Sequence, residues 1–171
     1  MLLEYDLSDK TVLFPKNLHE RHDAAIAACK YYADEEAQKK YKARRETLEK
    51  KYSFEAFGYS IIVPDSAEAI INEGKTLQHC VGGYADRHVK GKTTILFMRK
   101  TRKPGRSFMT IELDENGNMR QIHGYKNERY PHAKAPLQTF GWFIDAWQKW
   151  YRHGSRRGAD GKPILEEEKT A

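Results

Sequence analysis

Met109-Thr110-Ile111-Glu112-Leu113-Asp114-Glu115-Asn116-Gly117-Asn118-Met119-Arg120-Gln121-Ile122-His123 alternates apolar and polar residues on both sides of an Asn-Gly pair. Alternation is the period of a half-buried strand, and Asn-Gly readily adopts the positive φ values of a tight hairpin. A two-residue turn at Asn116-Gly117 sets Glu115 against Asn118 and Leu113 against Arg120. Stepping outward, Glu112 faces Gln121, Ile111 faces Ile122 and Thr110 faces His123. Thr110, Glu112, Gln121 and His123 then share one pleated face. Met109, Ile111, Leu113 and Ile122 take the other, which is the natural core side.

Working outward, residues 93–99 read as a further strand joined through Lys103-Pro104-Gly105, so an antiparallel meander is expected. Residues 54–63 read as another strand, with Tyr59, Ile61 and Val63 on one face, and Pro64 ends it. Ser66 caps a helix in which Gly74 serves as the C-terminal glycine, and a second short helix runs from about Leu77 through Tyr84. Asn17 and Glu20 make a capping-box-like start for a long helix reaching about Lys51. The second half of that helix is charged nearly all round, apart from a thin stripe of Tyr41, Leu48 and Tyr52. Residues 136–151 close the fold as an aromatic helix with Phe140, Phe143, Ile144, Trp147 and Tyr151 at three- and four-residue steps. The expected class is α+β: a long N-terminal helix, small motif helices, a three- to four-stranded antiparallel sheet and the aromatic C-terminal helix. It divides as a helical region 1–53, a core 54–152 and a loose tail 153–171, within one domain of 171 residues.

Thirty Lys and Arg against 24 Asp and Glu give a net charge of +6. Such an excess favours polyanionic partners through long-range attraction and counterion release, so RNA or DNA is the expected partner. No apolar run approaches the roughly eighteen residues that span a bilayer, and the N-terminus lacks a basic segment followed by an apolar one. A cytoplasmic protein without membrane contact is expected. Two cysteines, Cys29 and Cys80, are too few for a disulfide framework or a thiolate-rich zinc site. His79, Cys80 and His123 would lack a fourth ligand, so neither a metal nor a cofactor is expected.

Chemistry-bearing residues concentrate in Glu73-Gly74 and His79-Cys80-Val81-Gly82-Gly83-Tyr84, ahead of the polar hairpin face. All of these but Gly83, together with Leu77, Gly91, Ile95, Arg99, Thr110, Glu112, Gln121, Gly124 and Asn127, in this order and spacing, resemble the PcfJ-like proteins. The resemblance covers residues 59–127. It implies a protein of a conjugative plasmid, integrated element or phage, and it implies no assigned reaction.

The chemistry must therefore be read from the residues. In one reading Arg99 neutralises phosphate while Glu112 and His123 exchange a proton, assisted by His79 or Tyr84, as in metal-independent phosphodiester cleavage or phosphate recognition. Glu73, Tyr84, Thr110, Gln121 and Asn127 would contact the substrate. A structural alternative is that Arg99 pairs with Glu112 across two strands. A second reading makes Cys80 a nucleophile with His123 as base and Gln121 or Asn127 as orienter. A third is a binding module without chemistry, directed at a nucleotide, an RNA or a host or element-encoded protein. A further alternative is that the polar face is a solvated sheet surface.

Overall fold

The computed structural model describes residues 35–129 and 137–165. The expected helix start at Asn17 lies outside them, as does the alanine-rich stretch before Cys29. Helix α1 (Glu35–Tyr52) buries the thin stripe foreseen in its sequence, Tyr41, Leu48 and Tyr52. One five-stranded antiparallel sheet follows, in the order β1 (Phe54–Ala56), β2 (Tyr59–Ile62), β3 (Thr94–Lys100), β4 (Met109–Leu113) and β5 (Met119–His123). Between β2 and β3 come α2 (Ala67–Leu77), a 3-10 segment (Cys80–Tyr84) and α3 (Ala85–Val89), and α4 (Leu137–Arg152) closes the fold.

The sheet has five strands rather than three or four because residues 54–63 form a hairpin. Phe57 and Gly58 occupy its turn with φ of 50° and 82°, the two consecutive positive values of a primed turn, and Phe54 pairs with Ile61. An aromatic residue at the first of these positions disguised the turn as strand.

Both faces of the sheet are covered. On one side Leu96, Met98, Met109, Ile111 and Leu113 pack against Phe140, Phe143, Trp147, Trp150 and Tyr151 of α4, with Leu48 and Tyr52 of α1. On the other, Ile95 and Phe97 pack against Ala67, Ile70 and Ile71 of α2, Val81, and Ala85 and Val89 of α3, with Tyr41 joining from α1. At about 25 cal/mol per Å² of apolar area removed from water, two such cores supply most of the drive to fold.

The β4–β5 register inside the hairpin is the one alternation dictates: Thr110↔His123, Ile111↔Ile122 and Glu112↔Gln121. Its turn is different. The loop is three residues, 115–117, closed by Asp114 N–H to Asn118 O (2.9 Å), with Gly117 at φ 83°. The Asp114 carboxylate accepts from the N–H groups of Asn116 and Asn118, so the side chain builds the turn. Leu113 therefore pairs with Met119, not Arg120, and Arg120 bulges out to restore the register at Glu112.

Beyond α4, the first part of the expected tail is tied back to the body. Trp150 Nε1 donates to Arg156 O (2.7 Å), Ser155 Oγ to Lys51 O (2.6 Å) and Ile164 N–H to Arg156 O (2.9 Å). The Arg157 guanidinium lies 4.8 Å from the Trp150 ring centroid. Among the described residues no helix is long and apolar enough to cross a membrane.

Candidate functional site

Helix α2 does not stop at Gly74. It continues to Leu77 and ends at Gln78, which takes the left-handed cap conformation (φ 52°). Gly74 is instead a point of close approach, since a Cβ there would stand 2.8 Å from Gly82 N and 3.1 Å from His79 O. The 3-10 segment can therefore lie backbone to backbone on α2. Its first residues are fixed by His79, whose Nδ1 accepts from Val81 N–H (3.4 Å). An imidazole nitrogen that accepts leaves the proton on the other nitrogen, so His79 presents Nε2–H.

This segment leans over the polar face of β4 and β5, and the two form the walls of a shallow, partly open cleft. His79, Cys80, Tyr84, Thr110, Glu112, Gln121, His123 and Asn127 line it, with Val81 and Ile95 as the apolar part. Eight of the ten residues singled out in the sequence thus meet at one place. The polar face is not a solvated surface, because Thr110 and Glu112 are each 5 % exposed. Glu112 accepts from Gln121 Nε2 (2.6 Å), and its other oxygen lies 3.0 Å from Thr93 Oγ1. His79 Nε2 and Thr110 Oγ1 are buried without a hydrogen-bond partner. Leaving such groups unmatched costs about 1–3 kcal/mol each.

Glu73 and Arg99 lie elsewhere. Arg99 donates to both Glu73 oxygens (2.8 and 2.7 Å), Ser107 Oγ donates to the same carboxylate (2.7 Å), and Arg99 stacks on Phe97. It does not pair with Glu112: Glu112 is opposite Ile95, four residues up β3, or about 13 Å of strand.

Burial pulls the His79 pKa down to about 4, with His123 nearby lowering it further against a backbone hydrogen bond that raises it. His123 is also held below its ordinary value, first by burial and then by Arg129, against a smaller upward pull from Glu112. Both imidazoles are therefore neutral at pH 7, and the cleft lining holds no lysine or arginine. Cations stand at its rim. Lys126 lies over the half-exposed Tyr125 ring (5.4 Å), Arg87 over Tyr84 (5.4 Å), and the backbone of Arg129 pairs with that of His123, which brings the Arg129 charge near the imidazole. Lys126 and Asn127 both adopt left-handed backbone (φ 54° and 61°), a strained pair at the edge of the cleft. Among the described residues no three His, Cys, Asp or Glu side chains are disposed to hold a metal, so His79, Cys80 and His123 do not form such a set.

The family model of the PcfJ-like proteins matches residues 1–135. The chain belongs to the PcfJ-like proteins. The match takes in the N-terminal region as well as the motif residues from which the resemblance was drawn. An uncharacterized protein of Listeria innocua is 35 % identical over 127 residues, which are 73 % of this chain and 28 % of that protein. The chain thus spans less than a third of its relative's length. No solved structure matches.

No motif in this PcfJ-like chain marks Thr93, whose hydroxyl lies beside Glu112, or the rim of Arg87, Tyr125, Lys126 and Arg129. Tyr125-Lys126, an aromatic beside a cation just past β5, is the signal that points to this rim, and the 3-10 turn (Tyr125–Asn127) that presents it leaves no mark in the residue pattern.

Proposed function

We propose that this PcfJ-like domain recognises single-stranded nucleic acid by drawing one base into the cleft between the 3-10 segment and the β4–β5 hairpin. The observation that carries this reading is the separation of charge from hydrogen-bonding capacity. The interior offers neutral imidazoles, a hydroxyl, amides and a carboxylate, which suit the uncharged edge of a base and would repel a phosphate. The rim offers Lys126, Arg87 and Arg129, which suit phosphates, and Tyr125, which offers a stacking face. Arg99 contributes nothing here, since Glu73 satisfies it.

Proton transfer is an extension of the same reading. A neutral His123 facing Thr110, with Glu112 in the next pair on the same face, is placed to take a proton from a ribose 2′-hydroxyl, with the rim cations stabilising the phosphate. The Cys80 thiol lines the same cleft as His123, which favours the thiol reading as the alternative chemistry.

Fluorescence anisotropy with a labelled single-stranded RNA or DNA tests the binding. Affinity should fall steeply with salt, and Tyr125→Ala should weaken it by about 1–3 kcal/mol through lost stacking. No binding of either strand type at micromolar protein in low salt would remove nucleic acid as the partner.

A further inference from the structure

We infer that the base taken by this cleft is guanine, an inference that rests on the nucleic-acid reading above. The cleft presents an ordered set of complementary groups. Glu112 is an acceptor with two oxygens, and each has one neighbour, Gln121 Nε2 at 2.6 Å and Thr93 Oγ1 at 3.0 Å. A carboxylate has about four lone-pair sites, so each oxygen keeps one for a guest. Because the Gln121 NH₂ faces Glu112, its carbonyl oxygen adds acceptor capacity beside it. The same cleft lining holds His79 Nε2–H, a donor fixed by the bond from Val81 N–H to Nδ1. Thr110 Oγ1, 5 % exposed and unpartnered, serves either sense.

Each base edge meets this set differently. Guanine carries two adjacent donors, N1–H and the N2 amino group, beside the O6 acceptor. It can give both donors to Glu112 while O6 accepts from His79 or Thr110. Adenine and cytosine each place a ring-nitrogen acceptor next to their amino group, which would set a lone pair against the carboxylate. Uracil offers one donor between two acceptors. Only guanine fills the carboxylate and the imidazole donor together. The same logic makes Glu112 the specificity residue, held in orientation by Gln121 and Thr93.

Competition binding on the intact chain tests this, with GMP, AMP, CMP, UMP and IMP displacing a labelled single-stranded RNA. GMP should bind about ten-fold or more better than AMP, CMP and UMP, the discrimination of a good bidentate pair. IMP, which keeps N1–H and O6 but lacks the N2 amino group, should fall between. In Glu112→Gln the preference for GMP over AMP should collapse while rim-driven binding of RNA persists. The wild-type panel decides the point even if that variant folds poorly. Equal binding of all nucleotides would overturn guanine recognition and leave the nucleic-acid reading standing. Failure of the labelled RNA itself to bind would overturn both.

Discussion

Arg99 and Glu73 close a two-pronged ion pair (2.8 and 2.7 Å) in which both side chains are nearly withdrawn from water. The pair fastens α2 to β3 and lies outside the cleft lining. Removing one partner strands a buried charge, which costs about 3–5 kcal/mol.

Arg99→Met and Glu73→Gln should therefore each lower the melting temperature markedly. The double variant Glu73→Met/Arg99→Met should lose far less than the two single losses added together. Nucleic-acid affinity per folded molecule should stay near that of the parent chain. A fully stable Arg99→Met that no longer binds would show instead that the guanidinium serves the ligand.

A second expectation concerns acid. His88 is fully buried: Nδ1 accepts from Ile95 N–H (3.0 Å), Nε2 meets Tyr41 Oη (2.8 Å), and Tyr41 donates to Pro64 O (2.6 Å). Burial, and then the Arg44 charge, push its pKa down to about 3, while His79 lies at about 4. In the unfolded chain both return to about 6.5. Below that value the unfolded state binds protons that the folded state refuses, so stability falls as pH drops. His79's contribution to this loss is complete near pH 4 and His88's near pH 3. Urea melts from pH 7 to pH 4 should trace the fall, and His79→Asn, which keeps a capping acceptor, should flatten its upper part. Equal stability at pH 7 and pH 4.5 would refute neutral burial.

How much of this was legible beforehand divides along a physical line. Local rules sufficed for the hairpin register, since alternation and a turn fix which residues face which, and the Arg120 bulge absorbed the error made in the loop. They sufficed also for the stripe of Tyr41, Leu48 and Tyr52. They failed where long-range packing decides. Nothing in the neighbourhood of Arg99 says that Glu73, 26 positions away, will reach it before Glu112 does. The covering of Thr110 and Glu112 by the 3-10 segment depends on Gly74 meeting Gly82, which is a tertiary contact.

Cys80 separates binding from covalent chemistry. If the cleft works by hydrogen bonding and proton transfer, Cys80→Ser should keep RNA affinity and any cleavage within a few-fold. If the thiol is the nucleophile, turnover should vanish while binding survives. Iodoacetamide labelling gives an independent reading, because rapid and selective modification of Cys80 at neutral pH is the behaviour of an activated thiolate. Slow labelling together with unchanged activity in Cys80→Ser would remove the covalent alternative.

The two helical glycines, Gly74 in α2 and Gly141 in α4, give the sharpest contrast. In an open helix, Gly→Ala gains about 0.5–1 kcal/mol by restricting the unfolded backbone. Beyond its own turn of helix, Gly141 has nothing within 4 Å of its would-be Cβ, so Gly141→Ala should raise stability by that amount. At Gly74 the same methyl meets Gly82 N at 2.8 Å and His79 O at 3.1 Å, both backbone atoms that cannot swing aside. Overpacking of this kind costs about 1–3 kcal/mol, enough to outweigh the helix gain. Gly74→Ala should therefore destabilise, and it should also lift the 3-10 segment away from β4, carrying His79 Nε2 and Cys80 out of register with Glu112. Denaturant midpoints report the first effect and RNA affinity at a temperature where both variants are folded reports the second. If Gly74→Ala behaved like Gly141→Ala in both measurements, the backbone contact that builds this wall of the cleft would not exist in solution.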